Sequence, residues 1–474
     1  MSKILMVTSE ATPFIKTGGL ADVCGALPQA LVRQGHEVAV VMPRYQDGQV
    51  PWDAERVYHE MEIWIGGRVF GCSVDRVWMD GVNFYFVNCG PLYYREGVYG
   101  NFGGEYHDNH IRFGVLCRAA LEVVRHIFRP DIIHCHDWPT GLVGPYIRHT
   151  FGGDPTFFGI RLVMTIHNLG YQGRFGSWAM GELGLDMSLF RSDLVEYHGD
   201  VNFLKAGLVY ADHITTVSPR YAFEIQTPEG GFGLDALLRA RHESVTGILN
   251  GADYREWNPE TDHHLPVQYS AADVSGKRAC KQSLLAELGL PPYLDRPLIG
   301  IVSRFADQKG FELFGQVAGE LVHEDCAFAV IGNGDRGIED LFRYLARERP
   351  DKFGVRIGYD NGLAHRVEAG ADMFLMPSKY EPCGLSQIYS LRYGTVPIVR
   401  AVGGLDDTIN ESTGFKFQEY SGWAMLGAIR EALAAYRQPD RWRALEQAGM
   451  RADFSWDVAA AQYADLYQRI SLRP

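Results

Sequence analysis

Short runs of apolar residues recur along this chain, each followed by a loop marked by glycine or proline and then by residues at helical spacing. The first series lies at 3–7, 37–42, 131–135, 162–166 and 213–217. A second lies at 246–249, 298–302, 327–331, 355–357, 373–376 and 396–399. Runs that are apolar throughout, rather than alternating, predict strands covered on both faces. Their alternation with helices predicts parallel sheets, so the fold class is α/β. A polar stretch at 252–297, rich in Asp, Pro and His, separates the two series, and residues 456–470 have the spacing of an amphipathic helix. The division predicted is a Rossmann-like domain at 1–244, a second at 245–455, and a closing helical segment at 456–474. In such sheets ligands bind beyond the carboxyl ends of the strands. Two facing sheets would bring those edges to one interdomain cleft, so the chemistry is to be sought in loops that follow strands.

With 474 residues the chain is too long for one core, which supports two domains of roughly 200 residues. A net charge of −13 disfavours nucleic acid and anionic membranes as partners. A neutral polysaccharide is compatible with that charge, and an anionic small substrate then needs a local basic pocket. The eight cysteines are scattered with no CxxC pair, as expected of reduced thiols in the cytoplasm. The apolar run at the start is shorter than a signal peptide, and no stretch is long enough to span a bilayer.

Five loops carry candidate chemistry. Lys16-Thr17-Gly18-Gly19-Leu20 lies between the first strand and the first helix. Its glycines permit close approach to the backbone, its helix start offers free N–H groups, and Lys16 adds a charge. It reads either as a diphosphate loop or as an ordinary glycine turn. Arg304 and Lys309 follow the strand at 298–302, where two cations can stabilise a departing diphosphate. Glu381 lies in Pro377-Ser378-Lys379-Tyr380-Glu381-Pro382-Cys383-Gly384-Leu385-Ser386, just before a helix expected from Leu385. It serves either a sugar or merely the helix N-terminus. His134-Cys135-His136-Asp137-Trp138 and Thr165-Ile166-His167-Asn168 end two earlier strands. Asp137 and Trp138 offer a carboxylate for hydroxyls and a flat ring for a sugar face. His134 and His136 alternate along a strand and so share a face whatever their purpose; with no third ligand evident, no metal is expected there. His167 reads equally as a satisfied core histidine. Gly332-Asn333-Gly334-Asp335-Arg336-Gly337 matches a dinucleotide fingerprint but sits deep in the chain with its acidic partner poorly placed. It is read as a turn.

Together the blocks KTGGLADV, HDW, THN, FLKAGLVYADHITTVS, LNGAD, VSRFADQKG, PSKYEPCGLSQIYSLRYGT and FSWDVAA resemble the bacterial glycogen synthase and plant starch synthase family over essentially the whole chain. The resemblance implies two facing Rossmann-like domains in the GT-B arrangement, with the last helix returning to the first domain. It implies a retaining transfer of glucose from ADP-glucose to an α-1,4-glucan, without a cofactor. Lys16, Gly18 and Gly19 would contact the donor; Arg304 and Lys309 would bind its diphosphate. Glu381, Cys383, Gly384, Leu385 and Ser386 would hold the donor from the second domain. His167 would lie beside the anomeric carbon, and Asp137, Trp138, Asn168 and Asn250 would line the junction with the acceptor. Tyr389 stands where related retaining transferases often carry a second Glu. Asp406 and a short stretch at 407–415 also depart from the pattern, in what is expected to be a peripheral loop. The other readings are a UDP-glucose donor, a different acceptor, or a silent glycan-binding scaffold.

Overall fold

The computed structural model describes residues 1–472. They form two compact units: the first comprises Met1–Val217, Ala222–Gly251 and residues 456–472; the second comprises Ser218–Tyr221 and Ala252–Ser455. The boundary thus lies after Gly251, not at 244. The reason is pairing: the strand Val245–Gly247 runs parallel to His213–Thr216 and keeps this stretch in the first sheet.

The first unit is built on a nine-stranded sheet. Its order is Val245–Gly247, His213–Thr216, Arg161–Ile166, Ile132–His136, Lys3–Val7, Glu37–Pro43, Val82–Asn88, Arg68–Met79 and Glu55–Ile65. Every pairing is parallel as far as Val82–Asn88; the last two strands join antiparallel. Lys3–Val7 lies between its successor Glu37–Pro43 and the later Ile132–His136, so the strand order reverses there. That switch point is where an α/β sheet opens a crevice at its carboxyl edge. The helix Trp456–Ser471 packs on the helix Gly19–Arg33, burying Trp456, Tyr463, Leu466, Tyr467 and Ile470.

The second unit has a six-stranded, wholly parallel sheet in the order Phe353–Ile357, Ala327–Gly334, Leu298–Phe305, Met373–Met376, Val396–Arg400 and Phe415–Phe417. Its switch point falls between Leu298–Phe305 and Met373–Met376. The adjacent carboxyl ends of these two strands therefore deliver Arg304 and the loop from Pro377. Phe305, Phe311, Phe314, Phe328, Phe342 and Phe353 fill one face of the sheet. The polar stretch 252–297 contributes one helix, Ser275–Glu287, and is otherwise irregular. Among the described residues, no helix is long and apolar enough to cross a membrane.

Candidate active site

In the first unit the loop after Lys3–Val7 is fixed by a residue that the sequence reading passed over. Glu10 is 2% exposed. Its carboxylate accepts the Thr17 N–H and, at 2.8 Å, the Thr17 hydroxyl; the Tyr99 hydroxyl lies 3.3 Å away and donates to it as well. Burial pushes the Glu10 carboxyl above its ordinary value, against the hydrogen bonds from Thr17 that pull it down. Thr17 is thereby held between Lys16 and Gly18. Lys16 reaches Asp22 in the first turn of the following helix, Nζ to Oδ1 2.8 Å. Gly18 precedes that helix without a side-chain cap. A Cβ on Gly18 or Gly19 would meet no protein atom within 4 Å, and neither residue has a positive φ. Nothing inside the fold therefore demands glycine here; the bare backbone leaves the N–H groups of a 15-residue helix open to an anion.

Asp137 follows Ile132–His136 with φ 57° and ψ −178°, a region that side chains rarely occupy. Its peptide N–H donates to the Thr165 carbonyl at 3.0 Å, and its own carbonyl accepts the Thr140 hydroxyl at 2.9 Å. The carboxylate accepts the His167 N–H at 2.7 Å. Burial raises its pKa to about 7, with the His167 and Asn168 N–H groups pulling the other way. Such strain, of order 1–3 kcal/mol, persists only where the surroundings enforce it and is characteristic of functional sites.

The neighbours take more structural parts. Trp138 is buried against Phe113, ring centroids 4.9 Å apart, and the ring also crowds Gly173. It offers no free face to a sugar; it fixes the turn that presents Asp137. His134, His136 and His167 form a buried row, with His136 Nδ1 and His167 Nε2 3.0 Å apart. His134 is shared between the Tyr467 hydroxyl at 2.7 Å and the Thr165 hydroxyl at 2.5 Å. Burial holds His134 and His167 at about 3 and His136 well below its usual value, so all three are neutral. Asn168 accepts the Gly170 N–H at 3.0 Å. Asn250 is 7% exposed, and its Oδ1 has no partner among the described residues, leaving an acceptor for a hydroxyl.

In the second unit, Lys309 Nζ lies 2.6 Å from Glu381 Oε2, and the Ser378 hydroxyl donates to the same oxygen at 3.0 Å. Glu381 is 5% exposed. Arg304 is exposed and makes no side-chain hydrogen bond or ion pair among the described residues. The Glu381–Cys383 backbone is backed by Gly403 and Gly404: a Cβ on Gly403 would strike the Glu381 carbonyl, and one on Gly404 the Cys383 carbonyl. The segment expected at the periphery is thus the wall behind Glu381, and Asp406 within it pairs with Lys416 at 2.7 Å. Gly384 takes φ 70°, and Gln387 donates to the Cys383 and Gly384 carbonyls at 3.0 Å each. Leu385 precedes the short helix Ser386–Arg392, which has no side-chain cap. Tyr389 stacks flat on Trp257, centroids 4.1 Å apart.

The fingerprint at 332–337 has a different purpose. A Cβ on Gly332 would collide with the Ser303 carbonyl, so that glycine serves strand packing. Asp335 caps the helix Arg336–Glu348, accepting the Ile338 N–H at 3.1 Å, and so fills the place a phosphate would take. Separately, the first unit holds a cavity of about 490 Å³ lined by Arg68, Phe70, His110, Trp178 and Glu182 among others. None of the sequence-predicted site residues lines it.

Each unit thus gathers its polar groups at a switch point: a buried, strained acid with an uncapped helix start in one, and a buried acid–lysine pair beside an unpartnered arginine in the other. Those are the parts of a glycosyltransferase that handles a phosphate-activated sugar. Residues 3–240 match the family described as starch synthase catalytic domain, and residues 289–447 match glycosyl transferases group 1. The chain is 49% identical to a glycogen synthase of Koribacter versatilis over 98% of each chain. It is 50% identical to one of an Anaeromyxobacter species over 99% of each. The catalytic domain of starch synthase IV from Arabidopsis thaliana, solved with ADP and acarbose, superposes with a TM-score of 0.90 at 32% identity over 100% of both chains. A sucrose-phosphate synthase from Thermosynechococcus elongatus shares the fold at TM-score 0.61 and 19% identity, over 99% of each chain. The chain belongs to the glycogen synthase and starch synthase family and has the two α/β units of GT-B glycosyltransferases.

Proposed function

We propose that this protein is a cytoplasmic enzyme that transfers glucose from ADP-glucose to the non-reducing end of an α-1,4-glucan, releasing ADP with the α-configuration retained. The observation that carries the reading is the Lys309–Glu381 pair on the loops where Arg304 also emerges, in a chain of this family. The bond from the anomeric carbon to the β-phosphate oxygen breaks, and one to the acceptor O4 forms on the same face. The acceptor's proton passes to the departing β-phosphate. Arg304 and Lys309 neutralise that phosphate, and Lys16 with the Gly18–Gly19 backbone serves it from the first unit. Glu381, paired with Lys309, takes sugar hydroxyls and stabilises the positive charge that grows on the ring. Asp137 and Asn250 accept hydroxyls at the junction with the acceptor.

No Asp-x-Asp occurs in the chain, and two cations on one edge do what a metal-bridged diphosphate would otherwise need. A glucan chain also suits the cavity beside Trp178. That ring is 57% exposed, and His110 Nε2 donates to Glu182 at 2.9 Å, leaving Nδ1 without a partner and open to a hydroxyl.

The deciding assay follows ADP release from ADP-glucose with and without glycogen, in excess chelator and in Arg304→Ala and Lys309→Ala, with thermal unfolding of each variant run alongside so that lost activity is scored only in folded protein. Release that depends on glycogen, persists in chelator and falls by orders of magnitude in both variants is expected. Equal turnover of UDP-glucose overturns the donor, and loss of activity on chelation that magnesium restores overturns the metal-free chemistry.

A further inference from the structure

The irregular segment that opens the second unit is held at its centre by a side-chain cluster that glucosyl transfer does not use. Asp262 is 3% exposed. Its Oδ1 accepts the His264 N–H at 2.8 Å, and its Oδ2 accepts from His365 Nδ1 at 2.8 Å and from the Tyr393 hydroxyl at 2.5 Å. His365 belongs to the helix Asn361–Gly370 and lies flat against Trp257, centroids 3.8 Å apart. Beside this anchored carboxylate the rings of His263 and His264 are 4.0 Å apart. One nitrogen from each and one Asp262 oxygen lie within 4.8 Å of one another. Zinc-type bonds of about 2.0–2.2 Å bring ligand atoms to within roughly twice that length, so the exposed His263 and the partly exposed His264 need move only slightly to converge.

A second observation concerns His365, which is 1% exposed. A carboxylate only accepts, so Nδ1 donates to Asp262. Nε2 has no hydrogen-bond partner among the described residues and lies 4.0 Å from Glu256 Oε1. Arg366, which also comes near His264, commits its guanidinium to Glu287 through bonds of 2.7 and 2.8 Å.

We infer that Asp262, His263 and His264 form a binding site for a first-row transition-metal dication of the zinc type, in which His365 and Tyr393 orient Asp262. Two imidazoles and a carboxylate suit a first-row dication such as zinc and leave room for water. Bonded hydrogen-bond donors behind a ligating carboxylate fix its orientation and strengthen the site. A metal there would clamp three consecutive residues of the irregular segment, which Asp262 already ties to the helix Asn361–Gly370 and to Tyr393. The site shares no residue with the glucosyl-transfer machinery and does not depend on that reading.

The test is a cobalt(II) titration of full-length protein first freed of metal by a chelator and dialysis. The expected result is a saturable visible absorption of low-coordinate cobalt at one equivalent per chain, abolished by zinc. His263→Ala and His264→Ala should each weaken cobalt binding roughly tenfold or more, and Tyr393→Phe less. His263 is exposed and His264 partly so, which makes both variants compatible with folding. Absence of a saturable absorption at micromolar protein overturns the site. Undiminished absorption in the double variant His263→Ala/His264→Ala, meaning an adventitious ion only, overturns it equally.

Discussion

At the scale of single residues, the two acids differ in how they are kept. Glu381 is compensated by Lys309 at 2.6 Å and by Ser378. Removing one partner of such a buried pair strands the other, at a cost of about 3–5 kcal/mol, so truncation would confound catalysis with stability. Glu381→Gln keeps the shape and an acceptor oxygen. It should fold with little change and lose at least about a hundredfold in turnover, as removal of one transition-state contact typically does. Steady-state rates beside thermal unfolding decide this, and near-wild-type turnover would remove Glu381 from the chemistry. Among the described residues no cation lies against Asp137, and burial sets its carboxyl at about 7. Because the folded value lies above the unfolded value of about 3.9, its contribution to stability is present at acid pH and disappears as pH rises toward 7. The ionised form is the stronger acceptor for hydroxyls, so activity should climb as pH rises through about 7. The Asn variant should lose both the limb in the pH–rate profile near 7 and the corresponding slope of stability with pH. A profile identical in Asp137→Asn would assign that ionisation elsewhere.

At the scale of elements, the loop that presents Lys16 and the two glycines is only as rigid as Glu10 makes it. Glu10→Ala removes the acceptor for the Thr17 N–H and hydroxyl, each worth about 1–3 kcal/mol when left unsatisfied. KM for ADP-glucose should rise roughly tenfold or more, while the circular dichroism of the sheet is retained; an unchanged KM would show the loop to be self-supporting. The place of this loop was legible, because a continuous apolar run followed by Gly-Gly and a helical pattern marks a strand–loop–helix unit. The anchor was not, since Glu10 lies within a short polar turn and meets Thr17 only through the fold. The antiparallel strands Glu55–Ile65 and Arg68–Met79 were missed although they carried a signal. Gly66-Gly67 and Asp80-Gly81 all have positive φ, as tight hairpin turns require, and such dipeptides can be recognised in a sequence. Only the end of Glu55–Ile65 alternates between buried and exposed, and neither strand is apolar throughout like the parallel strands. Trp138 shows the opposite failure. Its type suits a sugar face, but four surrounding rings claim it, and no sequence pattern reports which aromatic is already covered.

At the scale of the whole molecule, the strand Lys3–Val7 and the helix Trp456–Ser471 share the first unit's core, which therefore cannot close until that helix has been made. The helix Trp456–Ser471 contributes Trp456, Tyr463, Leu466, Tyr467 and Ile470 to the same core as the helix Gly19–Arg33. Burying each large apolar side chain is worth about 1.5–3 kcal/mol, and a domain's net stability is about 5–15 kcal/mol. Loss of the helix therefore removes an amount comparable to the entire stability of the unit. It also strips the Tyr467 hydroxyl from His134, a buried imidazole in the row behind Asp137, and uncovers Gly251, which packs against the Trp456 backbone. The ion pair between Arg33 and Asp457, at 2.6 Å, is exposed on both sides and worth at most about 1 kcal/mol. A chain ending at Ser455 should consequently lose the first unit's cooperative unfolding transition in urea, together with activity. Trp456→Ala should lower that transition by about 3–5 kcal/mol, and Asp457→Ala by less than about 1 kcal/mol. Urea melts of the full-length protein and the three variants separate packing from charge as the source of the helix's importance. A truncated chain that unfolds at the wild-type midpoint would show that the first unit is complete without its last helix.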